Sequence, residues 1–175
     1  MHREELYVRL RWPFRSAETW YAEYRRAWKD LETGPVDGAG RAYDRRVLAS
    51  WGLSIRAPAA MPFALEMLRD RNPEIRADAT SVLERLADDP AALEALIGLV
   101  ESDPDLEPVD AAVEALGRLR AQAAIPALAK VIRDERADGD TQFAAAMALG
   151  RIVGKRFPRG RTVEEARAWL DRNAN

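Results

Sequence analysis

Residues 56–62 read RAPAAMP and residues 120–126 read RAQAAIP, nearly the same phrase 64 positions apart. A self-similar period constrains a fold more than composition does, because each copy must be one structural unit that buries its face against the next. Between and after the two phrases the apolar residues follow two registers. Leu68, Val100 and Ile132 step by 32 residues, as do Met61, Leu93 and Ile125, and Ala64, Leu96 and Leu128. Leu83, Leu116 and Leu149 step by 33, with Ala79, Ala112 and Ala145, and Leu86, Leu119 and Ile152, beside them. Within each unit the apolar positions recur at i, i+3, i+4 and i+7, the period of an amphipathic helix. Each unit is therefore two helices, A and B. The unequal steps predict that each A–B turn is one residue longer than the last.

The punctuation agrees. Asn72 and Asp89 are expected as N-caps with Pro73 and Pro90 at the first helical position, where a missing N–H is harmless. Pro62 and Pro126 fall in first turns, where proline is tolerated. Three units fit residues 57–154, at about 57–88, 89–120 and 121–154. Residues 16–54 predict two further helices, with Trp20, Tyr24, Trp28 and Leu31 on one stripe. This pair reads as a divergent repeat or, preferred here, an aromatic cap that seals the first apolar face; with the segment before it, it makes up residues 1–56. ELYVRLRW (5–12) alternates like a strand, and three fates are open to it: a short helix, an extended arm along the array, or pairing with another chain. Residues 155–175 are expected to form a basic loop and a closing helix. In that helix Thr162 and Glu165 make a capping box and Trp169 covers the last unit.

LEMLRDRNPEIRADATSVLERL (65–86) resembles a HEAT repeat of the short, phycobilisome-lyase-like type. Asp70, Ile75, Arg76, Ala79 and Leu83 take the family's turn and helix-B places, while Val109 and Gln142 replace Arg76 in the later units. LGRL (116–119) and LGRI (149–152) match the usual end of helix B, and the tetratricopeptide and ankyrin signatures are missing. The resemblance implies an all-α, right-handed α–α superhelix with the B helices lining its concave wall. It also implies a scaffold that binds a protein or peptide, with bilin-lyase-like and DNA-glycosylase-like enzymes as alternatives.

Composition narrows the chemistry. The chain has no cysteine and one histidine, His2, which argues against Cys or His catalysis, against thiolate or imidazole metal sites, and against the His–Glu sites of iron-binding HEAT hydroxylases. DERADGD (134–140) partly matches a calcium loop, but Ala145 stands where a glutamate ligand is needed. No metal or cofactor is expected. The N-terminal MHREELYVRL lacks the apolar core of a signal peptide and no apolar run is long enough to span a bilayer, so the expectation is a cytoplasmic protein. Charge is uneven. Residues 1–56 hold 11 basic and 8 acidic groups, residues 57–140 hold 9 and 18, and residues 141–175 hold 7 and 3. An acidic body argues against a long nucleic-acid groove.

The candidate binding residues lie on the B helices. Arg85, Arg118 and Arg151 form a ladder at 33-residue spacing, read either as arginines paired to neighbours, such as Glu114 with Arg118, or as a row for an acidic partner segment. Phe143 and Met147 point outward one turn apart, with coverage by Trp169 slightly preferred over an interface. Asp70, Asp103, Asp105, Glu107, Asp134, Asp138 and Asp140 gather at the A–B turns, an edge read as solvated turns and caps or as a place for a basic partner.

Overall fold

The computed structural model describes residues 15–34, 39–56 and 58–173. The arm 5–12 and His2 lie outside the described residues. Nine helices and one 3-10 turn make up the described chain: α1 (Ala17–Thr33), α2 (Ala39–Ser54), α3 (Met61–Met67), α4 (Pro73–Arg85), α5 (Pro90–Ser102), α6 (Leu106–Leu119), α7 (Ile125–Arg133), α8 (Gly139–Val153) and α9 (Thr162–Asn173). Consecutive pairs pack together, α1 on α2, α3 on α4, α5 on α6 and α7 on α8. The pairs then stack in two rows. The B row runs α2, α4, α6, α8, each packed on the next, and the A row includes the contacts of α1 with α3 and α5 with α7. Helix α9 closes the array against α7 and α8. The fold is an all-helical solenoid of the HEAT type. None of the described helices is long and apolar enough to cross a membrane.

Most of the register residues are what the rows bury, while Met61, Leu93 and Ile125 stay half-buried against the core. Leu83, Leu116 and Leu149 from the B row, and Leu96, Leu128 and Ile132 from the A row, are fully enclosed. Burying each such side chain stabilises the fold by about 1.5–3 kcal/mol. Ala79, Ala112 and Ala145 are also enclosed, and their small size lets neighbouring B helices approach. At the N-terminal end Trp20, Tyr24 and Trp28 are buried, so α1 and α2 occupy A and B places in the rows while carrying the aromatic core. The Trp20 ring lies where a side chain on Gly52 would stand.

The expected caps form. Asn72 accepts from the Glu74 N–H at 2.9 Å and Asp89 from the Ala91 N–H at 2.9 Å, with proline at the first helical position of both helices. Two expectations fail. The non-helical connections between A and B helices are 68–72, 103–105 and 134–138, so they do not lengthen steadily; α5 is thirteen residues long against seven for α3, and the extra residues enter helix ends instead. The Thr162–Glu165 capping box does not form either. Thr162 is already helical and its hydroxyl donates to the Pro158 carbonyl at 3.1 Å, while Glu165 pairs with Arg161 at 3.4 Å.

Candidate functional site: the B-helix wall

Two junctions join the repeats along the edge and wall, and they use different chemistry. At the first, the buried Arg76 guanidinium of α4 donates to both Asp103 oxygens at 2.8 Å, to Asp105 at 2.5 Å, and to the carbonyls of Asp70 and Arg71 at 2.9 and 3.2 Å. One side chain thus staples the first A–B turn to the second. Desolvation opposes ionisation of Asp103, but Arg76 and the Asp105 N–H outweigh it and hold the carboxyl below its ordinary range. Asp70 is likewise engaged, by Arg25 and the Asn72 N–H, and Asp138 caps α8. Much of the acidic edge is therefore internal to the turns. In the third unit Gln142 donates to the Asp134 carbonyl, keeping a donor on its own turn without reaching a neighbour.

On the wall, the three arginines of the ladder share a register but not an environment. Arg118 on α6 is held by Glu84 of α4 through two bonds of 2.8 and 2.9 Å, and by Glu114 on its own helix at 3.0 Å. These carboxylates sit 34 and 4 residues before it. At Arg151 the same two places hold Gly117 and Met147, and no ion pair joins Arg151 to a carboxylate among the described residues. At Arg85 they hold Trp51 and Ser81. The change at Gly117 has a packing cause. A Cβ there would stand 2.9 Å from the Ala148 Cβ and 3.0 Å from its Cα, so α6 and α8 approach more closely than any side chain allows.

Two grooves lie on this face. The first, about 730 Å³, is lined by α2, α4 and α6, with Arg46, Arg85 and Arg118 facing Asp78 and Glu84. Asp78 accepts from the Tyr24 hydroxyl at 2.7 Å and lies 3.5 Å from Arg46, whose guanidinium stacks over the Trp28 and Tyr43 rings. Burial raises the Asp78 carboxyl above its ordinary value, with the Tyr24 bond and Arg46 opposing. The second groove, about 1350 Å³, lies between the end of α6, α8 and the loop 154–161, and contains Phe143, Met147 and Arg151. The structure thus separates the sequence candidates: Arg85 and Arg118 line one groove, with Glu114 beside them, while Phe143, Met147 and Arg151 line the other. Phe143 and Met147 are 48% and 39% exposed, so Trp169, which packs on the core from α9, does not cover them. The preference for coverage is corrected: the closing helix docks on α7 and α8 and leaves these two side chains exposed.

A family model described as HEAT repeats matches residues 40–116, and one described as PBS lyase HEAT-like repeat matches residues 110–134. The chain is a HEAT-repeat protein. The first match begins inside α2, so this HEAT-repeat protein carries family character into its aromatic end. No curated protein matches it. Sequence reasoning did not include Arg120, Lys155, Arg156 and Arg159, which also line the second groove. The usable signal was the basic balance of residues 141–175 and the Gly/Pro-broken stretch GKRFPRGR. Its fold back onto α8, with the Lys155 N–H donating to the Gly150 carbonyl at 2.8 Å and Phe157 buried, is a tertiary event.

Proposed function

We propose that the protein is a non-catalytic HEAT-repeat scaffold of the cytoplasm that binds another protein, or an extended peptide, across its B-helix wall through Arg85, Arg118, Arg151, Glu114, Phe143 and Met147. The observation that carries this reading is the exposure of Phe143 and Met147 beside Arg151 in a groove, since apolar side chains left open next to a cation suit a partner that brings an apolar side chain and a carboxylate. The absence of cysteine fits a reducing compartment. The test is capture of partners from lysate of the encoding organism by the wild-type chain and by the triple variant Arg85→Glu, Arg118→Glu, Arg151→Glu. A partner held by the first and lost by the second, with the helical circular dichroism unchanged, supports the wall; a partner retained by both removes it.

The alternative is an enzyme or enzyme subunit. One observation favours it: Trp51, Asp78, Arg85 and Arg118 line the same groove, the residue types with which HEAT-like DNA glycosylases cradle damaged DNA. Against it, Asp78 is engaged by Tyr24 and Arg46, and Glu84 would repel a phosphate backbone. Duplex binding at about 50 mM salt decides the nucleic-acid version, because contacts to phosphates are strongest at low ionic strength. No binding there removes it.

A further inference from the structure

The second groove has a composition the rest of the wall lacks. Five cations line it, Arg120, Arg151, Lys155, Arg156 and Arg159, and no carboxylate does. All five are exposed, and no ion pair engages any of them among the described residues. In a chain with a net charge of −2, five such cations converge on one groove whose described lining holds no carboxylate. One of them is held at a conformational cost. Arg120 ends α6 with φ 52°, the left-handed region, whereas the corresponding end of α8 uses Gly154 at φ 68°. Left-handed backbone costs a non-glycine residue roughly 1–2 kcal/mol. A glycine would close α6 more cheaply, and the arginine kept there reaches the groove.

We infer that this groove is the binding site for an acidic peptide segment carrying an apolar anchor: Glu or Asp side chains on the guanidinium groups, and a Leu- or Phe-type side chain on Phe143 and Met147. The inference rests on the wall reading and deepens it by naming the half of the wall that binds and the chemistry that it takes. Guanidinium groups pair carboxylates through two parallel bonds, and methionine adapts its shape to an apolar side chain. A nucleic acid is the poorer occupant. Its backbone would run on along the wall into Asp78, Glu84 and Glu114, and charge repulsion would end the track within a short footprint.

The probe is a fluorescein-labelled dodecapeptide of glutamates and aspartates around a central Phe-Leu pair, read by anisotropy. Its controls are the same peptide with glutamines and asparagines, and an oligothymidylate of similar length. The wild-type chain is expected to bind the acidic peptide at about 50 mM salt and to lose affinity as ionic strength rises and the Debye length shortens. Met147→Glu restores beside Arg151 the carboxylate that Glu114 supplies to Arg118, and is expected to weaken binding about tenfold by neutralising Arg151 and removing the anchor surface. Arg120→Gly is expected to raise the melting midpoint while weakening the peptide, because it relieves the left-handed strain and deletes a groove cation. Lys29→Glu, an equal charge change on exposed α1 at the far end of the array, leaves affinity within about twofold. The inference is overturned if the acidic peptide fails to bind, if its neutral analogue binds equally well, if Met147→Glu and Lys29→Glu weaken it equally, or if the oligothymidylate binds more tightly with the same dependence on Met147 and Arg120. A peptide that fails while a captured partner still depends on the triple arginine set removes this groove's chemistry and leaves the wall reading standing.

Discussion

The junction between α4 and α6 and the junction between α6 and α8 solve the same problem with opposite means. The first is polar: Arg76 staples two turns through Asp103 and Asp105, and Glu84 reaches across the wall to Arg118. The second is close packing: Gly117 lets Ala148 approach to contact, Val109 and Gln142 stand where Arg76 does, and among the described residues no carboxylate crosses to Arg151. In an array where each repeat touches only its neighbours, every junction must supply its own cohesion. Where cohesion comes from ion pairs, the wall's charges are used internally. Where it comes from backbone approach, they are left for something outside the chain. The basic, carboxylate-free groove lies beside the second kind of junction.

The largest test of this contrast is Arg76→Ala. It strands the buried Asp103 carboxylate without its guanidinium, and removing one member of a buried ion pair costs about 3–5 kcal/mol. A denaturant midpoint that moves by less than the equivalent of about 1 kcal/mol would break the claim that the first junction is polar. The pH dependence follows with a definite sign. Asp103 titrates below its ordinary value of 3.8 in the folded chain, so its contribution is complete above that value and is lost as pH falls through the folded value. Acid unfolding of the wild-type chain should therefore show a loss of stability below pH 3.8 that Arg76→Ala reduces. The packed junction is tested by Gly117→Val, which forces α6 and α8 apart and should cost about 1–3 kcal/mol in chemical denaturation. An unchanged midpoint would mean that close approach is not what holds it. The smallest effect sharpens the point. A methyl group on Gly98 of α5 meets nothing within 4 Å, so Gly98→Ala should stabilise by about 0.5–1 kcal/mol, read as a higher melting midpoint.

Much of the architecture was legible because helix periodicity and repeat register are one-dimensional signals. The 32- and 33-residue steps named most of the residues that the two rows bury, and Asn72 and Asp89 announced their helices through local chemistry. The capping box misled because Thr162 and Glu165 have the right spacing in any frame, while the turn at Pro158 had already started the helix one residue earlier. Phe143 and Met147 were correctly placed on an outward stripe, yet their exposure depended on where α9 docked, which no local pattern states.

The sequence by itself determined the period, the two rows, the buried register and the positions of the three ladder arginines, because these follow from which residues recur on one helical face. Only the tertiary structure decided which of those arginines is occupied. That choice rests on what lies 34 residues earlier on the neighbouring helix, Glu84 for Arg118 and Gly117 for Arg151, an offset set by how B helices pack rather than by any spacing within one helix. It also rests on the return of the loop 154–161 onto α8, which brings Lys155, Arg156 and Arg159 to the same groove. Long-range approach of surfaces, not local pattern, turned three equivalent arginines into two different sites.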